Sequence, residues 1–227
     1  STFETVTHNG GLVSVSSNVV TINPAGTFVS STGYYLVIPS TFFDDASSND
    51  YAGFSTKTVL NFTSADSVAP TLASSSPADN ATGVAEGSNI VLTFSEVVDR
   101  ESGNITIKKT SDNSTIEAIA VTDSKITGTG TNVITINPTA NLASSTEFYV
   151  LVDSSAFDDT SSNSYAGISS TTALSFTTSD TVSPTLLSSV PADGSTGIGV
   201  SSNIILNFSE AVDVETGNIV IKRTSND

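Results

Sequence analysis

The sequence predicts an all-β protein built from tandem antiparallel β-sandwiches. In short runs, apolar residues recur at every second position, for example Ile90, Leu92 and Phe94, which is the spacing of one face of a strand. Clusters of Gly, Pro, Asn, Asp and Ser separate these runs, as turns between short strands do. No stretch combines a helical period with capping residues. We therefore expect sheets joined by turns, without helices.

The second observation is an internal repeat. PTLASSSPADNATGV at 70–84 returns as PTLLSSVPADGSTGI at 184–198, which is 114 residues later. At the same offset, 28 of the 46 positions in 68–113 are identical in 182–227. Identical copies in tandem are typical of modular arrays that stack one structural unit after another.

One repeat is predicted to contain seven strands. We place them at 71–76, 88–95, 104–110, 115–122, 132–137, 147–153 and 171–178. Seven short antiparallel strands in about 110 residues are typical of an immunoglobulin-like sandwich. Because the chain has no Cys and no Trp, the core is expected to be aliphatic with Phe and Tyr.

The repeat predicts a split domain at each end of the chain. Residues 1–67 match the C-terminal half of a repeat, 68–181 form a complete one, and 182–227 match an N-terminal half. That half would be completed by a following segment or by a neighbouring subunit. Two explanations stay open: a window from a long tandem array, or a subunit whose halves are completed head to tail by its neighbours. Both imply that identical units continue in both directions.

Composition excludes several classes of function. The 227 residues carry 23 acidic and 7 basic side chains, a net charge of −16, whereas a nucleic-acid binder needs a basic face. The absence of Cys excludes disulfides and thiolate metal sites. No apolar run approaches the roughly 20 residues that span a membrane. The chain begins at Ser1 without an initiator Met or a signal peptide, so we expect an excerpt of something longer.

Several strings resemble the bacterial Ig-like domain family of S-layer proteins and giant repetitive surface adhesins. They are PADNATGVAEGSNIVLTFSE, NPTANLASSTEFYVLV, FDDTSSNSYAGI and LSFTT. Through three partial or complete copies the resemblance covers the whole chain. It implies an extracellular or cell-surface location and a structural role in a filament, sheath or adhesin stalk. The FDDxSSNxYAG loop is fuller than the family's pattern.

The sequence offers no convergent catalytic set, and we expect a protein that is not an enzyme. His8 is the only imidazole and lies in a partial copy, where a strand or loop position explains it better than a general base. No Ser lies in a G-x-S-x-G elbow. The alternative function is an adhesin domain that binds carbohydrate or a cell-surface partner.

Calcium is the favoured ligand, because three oxygen-rich segments recur and Ca²⁺ takes six to eight oxygen ligands. The segments are the linker (Asp66; Asp180), the loop after the second strand (Glu96, Asp99, Glu101; Glu210, Asp213, Glu215) and the late loop (Asp158, Asp159; Asp44, Asp45). In a seven-strand sandwich the two loops lie at one end, where the linker from the preceding domain arrives. We therefore predict carboxylates that meet at the joint. Solubilising surface charge and ordinary turn formation remain the alternative.

Overall fold

The structure is a computed structural model that describes residues 1–224, and within that range it contains β-strands and no α-helix. The last three residues of the predicted third segment, 225–227, lie outside the described residues. From residue 1 to residue 224, no helix is long and apolar enough to cross a membrane.

The strands fall into three groups along the chain. The first segment holds β1 (Val13–Ser16), β2 (Val19–Ile22), β3 (Gly33–Tyr35) and β4 (Asn61–Thr63). The middle segment holds β5 (Leu72–Ser76), β6 (Ala81–Val84), β7 (Ile90–Arg100), β8 (Asn104–Lys109), β9 (Thr115–Ala120), β10 (Ile126–Thr127), β11 (Thr131–Ile136), β12 (Glu147–Val152), β13 (Phe157–Asp158) and β14 (Ser175–Thr178). The third segment holds β15 (Leu186–Val190) and β16 (Ile205–Phe208).

The middle segment is a sandwich of two five-stranded sheets. One sheet has the order β10-β11-β7-β13, with β5 also paired to β7, and the other has the order β6-β14-β12-β8-β9. The pairs are antiparallel except for β14 with β6, which is parallel. This architecture confirms the predicted all-β, immunoglobulin-like fold.

The inward faces of both sheets meet in one core. Phe94 on β7 packs its ring 5.3 Å from that of Phe157 and 5.1 Å from that of Tyr165. Phe148 and Phe176 form a second aromatic pair at 6.1 Å. Ile, Leu and Val side chains fill the space around these rings, as a chain without Cys and Trp requires.

Each of the seven predicted strands has a counterpart, but the structure adds three short ones. β6, β10 and β13 have two to four residues, too few for an alternating pattern to stand out. The second predicted strand, 88–95, is also longer, since β7 continues to Arg100 where β13 pairs with it. Residues 96–100, expected to be a loop, are therefore part of a strand because they pair across the sheet.

The outer segments form small separate sheets. β1 pairs with β2, β3 with β4, and β15 with β16. Within residues 1–224, none of these six strands pairs with a strand of the middle domain.

Candidate metal site at the domain joint

The linker into the middle domain is anchored on the preceding segment through Asp66. Ser30 Oγ donates a hydrogen bond to Asp66 Oδ1 at 2.8 Å, and the Val68 amide donates to the same oxygen at 3.1 Å. The Ser67 amide in turn donates to Ser30 Oγ at 2.9 Å. The Val68 amide and the Ser30 hydroxyl lower the pKa of Asp66, so the carboxylate that they hold at the joint is ionised at neutral pH.

The loop after β13 turns around Asp159, whose side chain is buried. Its Oδ1 accepts hydrogen bonds from the Ser161 and Asn163 amides, both at 2.8 Å, and its Oδ2 accepts one from Asn163 Nδ2 at 2.8 Å. Burial raises the pKa of Asp159, but these three donors outweigh burial and the net pKa lies below the ordinary value. A second ionised carboxylate is thus fixed beside the linker.

Glu96 on β7 completes the cluster. One carboxylate oxygen from each of Asp66, Glu96 and Asp159 lies within 4.8 Å of the other two. The linker therefore meets two separate parts of the middle domain at this point, as the sandwich topology predicted. Three carboxylates at this spacing supply the hard oxygen ligands that a divalent cation prefers.

The cluster makes the charge on Glu96 unfavourable. Burial, followed by the charges of Asp159 and Asp66, raises the pKa of Glu96. An acid whose pKa is higher in the folded than in the unfolded state destabilises the fold when ionised. This cost is complete above the raised pKa, and it is relieved as the pH falls through the raised pKa towards the unfolded value. At neutral pH a bound cation would offset the same repulsion.

Comparison of the sequence with protein-family models identifies the family of this chain. Residues 66–178 and 180–227 match the model of the bacterial Ig-like domain, which together is more than half of the chain. The chain belongs to the bacterial Ig-like domain family. The predicted resemblance is thereby confirmed.

Three chains of known structure also match. One is described as the crystal structure of the S-layer protein rSbsC(31-844), with 14% sequence identity and a TM-score of 0.33. The match covers 54% of the present chain and 15% of that chain, so the sequence spans only a small part of that protein's length. A search of curated proteins found no match.

The other predicted acidic residues of the middle Ig-like domain lie outside the three-carboxylate cluster. Asp99 Oδ1 accepts a hydrogen bond from Thr129 Oγ1 at 3.2 Å, and the backbone of Asp99 pairs with that of Asp158 between β7 and β13. Glu101 is exposed, and its amide donates to the Ala156 carbonyl at 3.0 Å. These three residues belong to the rim of the same end of the domain.

The joint to the third Ig-like segment repeats the anchoring of the first. Ser144 Oγ donates to Asp180 Oδ1 at 3.3 Å, and the Val182 amide donates to it at 3.0 Å. Glu210, the counterpart of Glu96, has a buried Oε1 without a hydrogen-bond partner among the described residues. Asp213 and Glu215 are exposed. Over residues 1–224, this second joint does not assemble a cluster like the first.

The late loop of the first Ig-like segment has the local geometry of its copy in the middle domain. Asp45 accepts hydrogen bonds from the Ser47 amide and from the amide and side chain of Asn49, and the Asn49 side chain is the largest cause of its lowered pKa. The backbones of Asp44 and Asp50 form a β-bridge. The longer FDDxSSNxYAG motif therefore forms a turn centred on a carboxylate in both copies.

Sequence reasoning missed the two serines that hold the linkers, Ser30 and Ser144. Their signal was present, because S-S-T occurs at 30–32 and again at 144–146, before equivalent strands. In a chain so rich in Ser and Thr, this recurrence does not stand out from the sequence alone.

Proposed function

We propose that this chain is a structural module of an extracellular filament, sheath or adhesin stalk, built from Ig-like repeats that follow one another head to tail. The protein acts by holding its neighbours at fixed positions and carries out no catalysis. The family supports a modular role, and the repeat supports a tandem one. Identical repeats or subunits are the partners.

The main support for this proposal is the way in which each linker is held by the unit before it. At each joint a serine of the preceding unit holds the linker aspartate, Ser30 with Asp66 and Ser144 with Asp180. The same aspartate side chain also accepts the amide two residues further on, Val68 or Val182. These contacts fix the start of each linker on the preceding unit and leave less of the linker free to bend, which favours a stiff array over a flexible string.

We further propose that Ca²⁺ binds at the joint between the first and middle units. Asp66, Glu96 and Asp159 supply the first ligands, and carbonyl groups and water would complete the six to eight that Ca²⁺ takes. The raised pKa of Glu96 supports a cation as the missing counter-charge. Binding would couple the linker to the middle domain and stiffen the joint.

Calorimetry on EDTA-treated protein tests the calcium site. We expect Ca²⁺ to produce a heat of binding and, at about 100 times its Kd, to stabilise the middle domain by about 2.7 kcal/mol. In Glu96→Gln, both effects should weaken strongly because one ligand charge is gone.

Without calcium, the two proteins should rank the other way in melting temperature at pH 7. Glu96→Gln should then melt about 2 °C higher than the wild type. That advantage should shrink as the pH falls through the raised pKa of Glu96.

Glu101→Gln is the matched control, since Glu101 is exposed at the same end of the domain but lies outside the cluster. It removes one negative charge and should leave the calcium response unchanged. Equal losses in both variants would show that general surface charge, and not the cluster, attracts the ion.

Electron microscopy with gold-labelled antibodies against residues 68–181 tests the surface role. On intact source cells we expect label along filaments, a sheath or stalks outside the cell. Label confined to the cell interior, or to compact isolated particles, would contradict the proposal.

A further inference from the structure

The linker carboxylate at the first joint is oriented from the side of the preceding unit. Asp66 Oδ1 accepts hydrogen bonds from Ser30 Oγ at 2.8 Å and from the Val68 amide at 3.1 Å. Ser30 Oγ accepts in turn from the Ser67 amide at 2.9 Å, which folds the linker around this hydroxyl group. Within residues 1–224, no donor on β7 or in the loop after β13 bonds to Asp66. The contacts that direct this carboxylate therefore lie in the preceding unit and the linker.

Ser30 is itself held by the end of the preceding unit. Thr32 Oγ1 donates to the Ser30 carbonyl at 2.8 Å, and the Thr32 amide donates to Ser64 Oγ at 3.0 Å. The Ser31 amide donates to the Ala65 carbonyl at 3.3 Å. These bonds join the residues before β3 to the residues after β4, and the two strands pair with each other. The position of the Ser30 hydroxyl thus depends on the paired β3–β4 end of that unit.

The other two carboxylates of the cluster are positioned by the middle domain. Asp159 accepts its three hydrogen bonds from Ser161 and Asn163 in its own loop, and Glu96 lies on β7. Over the described part of the chain, none of the three carboxylates forms an ion pair with a basic side chain. An ion at this point would therefore take its carboxylate ligands from two sources, the middle domain and a linker that the Ser30 hydroxyl holds.

We propose that Ser30 is a positioning residue through which the calcium affinity of the joint depends on the folded end of the preceding unit. The inference rests on the calcium site proposed above and adds control of that site by the neighbouring unit. With Ser30 in place, Asp66 is already directed when the ion arrives, so binding does not have to order this side chain. Loss of an outer contact that orients a metal ligand lowers metal affinity by about tenfold or more.

The coupling acts in both directions. If the folded end of the preceding unit raises the calcium affinity, bound calcium stabilises that end by the same factor. The contact of Ser144 with Asp180 repeats that of Ser30 with Asp66, so the same arrangement of serine and linker is present at successive joints. An array built in this way would pass the effect of an ion at one joint to the unit before it.

Calorimetric titration of the EDTA-treated full chain with Ca²⁺ tests the role of Ser30. We expect Ser30→Ala to bind calcium about tenfold more weakly than the wild type. Ser30→Thr keeps a hydroxyl group and should recover most of the affinity. Without calcium, the middle domain of Ser30→Ala should melt within about 2 °C of the wild type, because Ser30 contacts the linker and not the core of that domain.

Hydrogen exchange at the amides of Thr32 and Ser64 supplies a second measurement. The Thr32 amide donates to Ser64 Oγ, and the Ser64 amide donates to the Thr32 carbonyl, both at 3.0 Å. Calcium should slow exchange at both amides several-fold in the wild type and only slightly in Ser30→Ala. A serine that merely supports its own turn would change the two exchange rates equally with and without calcium.

Ser144→Ala is the matched control. Ser144 holds Asp180 at the second joint, where the described residues assemble no carboxylate cluster. The substitution removes the same hydroxyl group from the same position of the repeat, and it should leave the calcium affinity unchanged.

Equal calcium affinities of Ser30→Ala and the wild type would overturn the inference and leave the calcium site standing. Equal losses in Ser30→Ala and Ser144→Ala would overturn it too, since the effect would then not arise at the joint that carries the cluster. Absence of calcium binding by the wild type would instead refute the site itself, and this inference with it.

Discussion

Replacement of Phe94 by alanine should unfold the middle domain at a denaturant concentration far below that of the wild type. Phe94 is 1% exposed, and its ring packs against Phe157 and Tyr165. Truncating a buried Phe removes its transfer free energy and leaves a cavity, which costs about 3–5 kcal/mol. Urea denaturation of the dilute full chain, followed by Tyr fluorescence, measures this loss.

Phe208→Ala is the matched control for that experiment. Phe208 occupies the same position of the repeat, but it is 36% exposed in the third segment. In dilute, unassembled protein its loss should change the unfolding of the middle domain by less than about 0.5 kcal/mol. Equal effects of the two substitutions would contradict the assignment of the core to the middle segment.

Replacement of Gly167 by alanine should destabilise the middle domain by about 2–4 kcal/mol. Gly167 has a φ of +78°, and a Cβ there would lie 2.5 Å from the Val152 carbonyl oxygen and 2.8 Å from the Ser154 amide nitrogen. Both neighbours are backbone atoms, so neither can move aside without disturbing the bridge between Val152 and Ile168. Thermal unfolding by circular dichroism measures the effect.

Gly83→Ala separates backbone conformation from steric conflict. Gly83 has a similar φ of +66°, but a Cβ there would meet nothing within 4 Å. It should carry only the conformational cost, about 1 kcal/mol. If both alanine variants melted at the same temperature, close approach of the backbone would not be the reason for glycine in the YAG turn.

The sequence predicts the sheets well where a strand is long and half-buried. The alternation of Ile90, Leu92 and Phe94 predicts β7 from the sequence alone. β13 has only two residues, and it is a strand only because the backbone of Asp158 pairs with that of Asp99 on β7. This partner lies about 60 residues away in the chain, so the sequence pattern around β13 does not indicate the pairing.

The residues of the candidate site at the joint were also only partly predictable from the sequence. Sandwich topology brings Asp66 to the end of the domain that carries Glu96 and Asp159, and the structure places them together. It keeps Asp99 apart, since β7 continues as a strand through that residue. The anchoring serine, Ser30, acts through a single hydroxyl, and one Ser among many gives no distinguishing signal.

The parallel pairing of β6 with β14 has a mechanical consequence. These two strands lie near the two ends of the middle domain's sequence, and they are joined by backbone bonds from Asn80 to Ser175 at 2.7 Å and from Ser179 to Val84 at 2.8 Å. When the chain is stretched from its two linkers, a parallel pair is pulled in opposite directions along its own axis. The bonds are then loaded in shear and must break together, whereas a hairpin opens one bond at a time. Tension on an array of such domains would therefore meet its main resistance at this clamp.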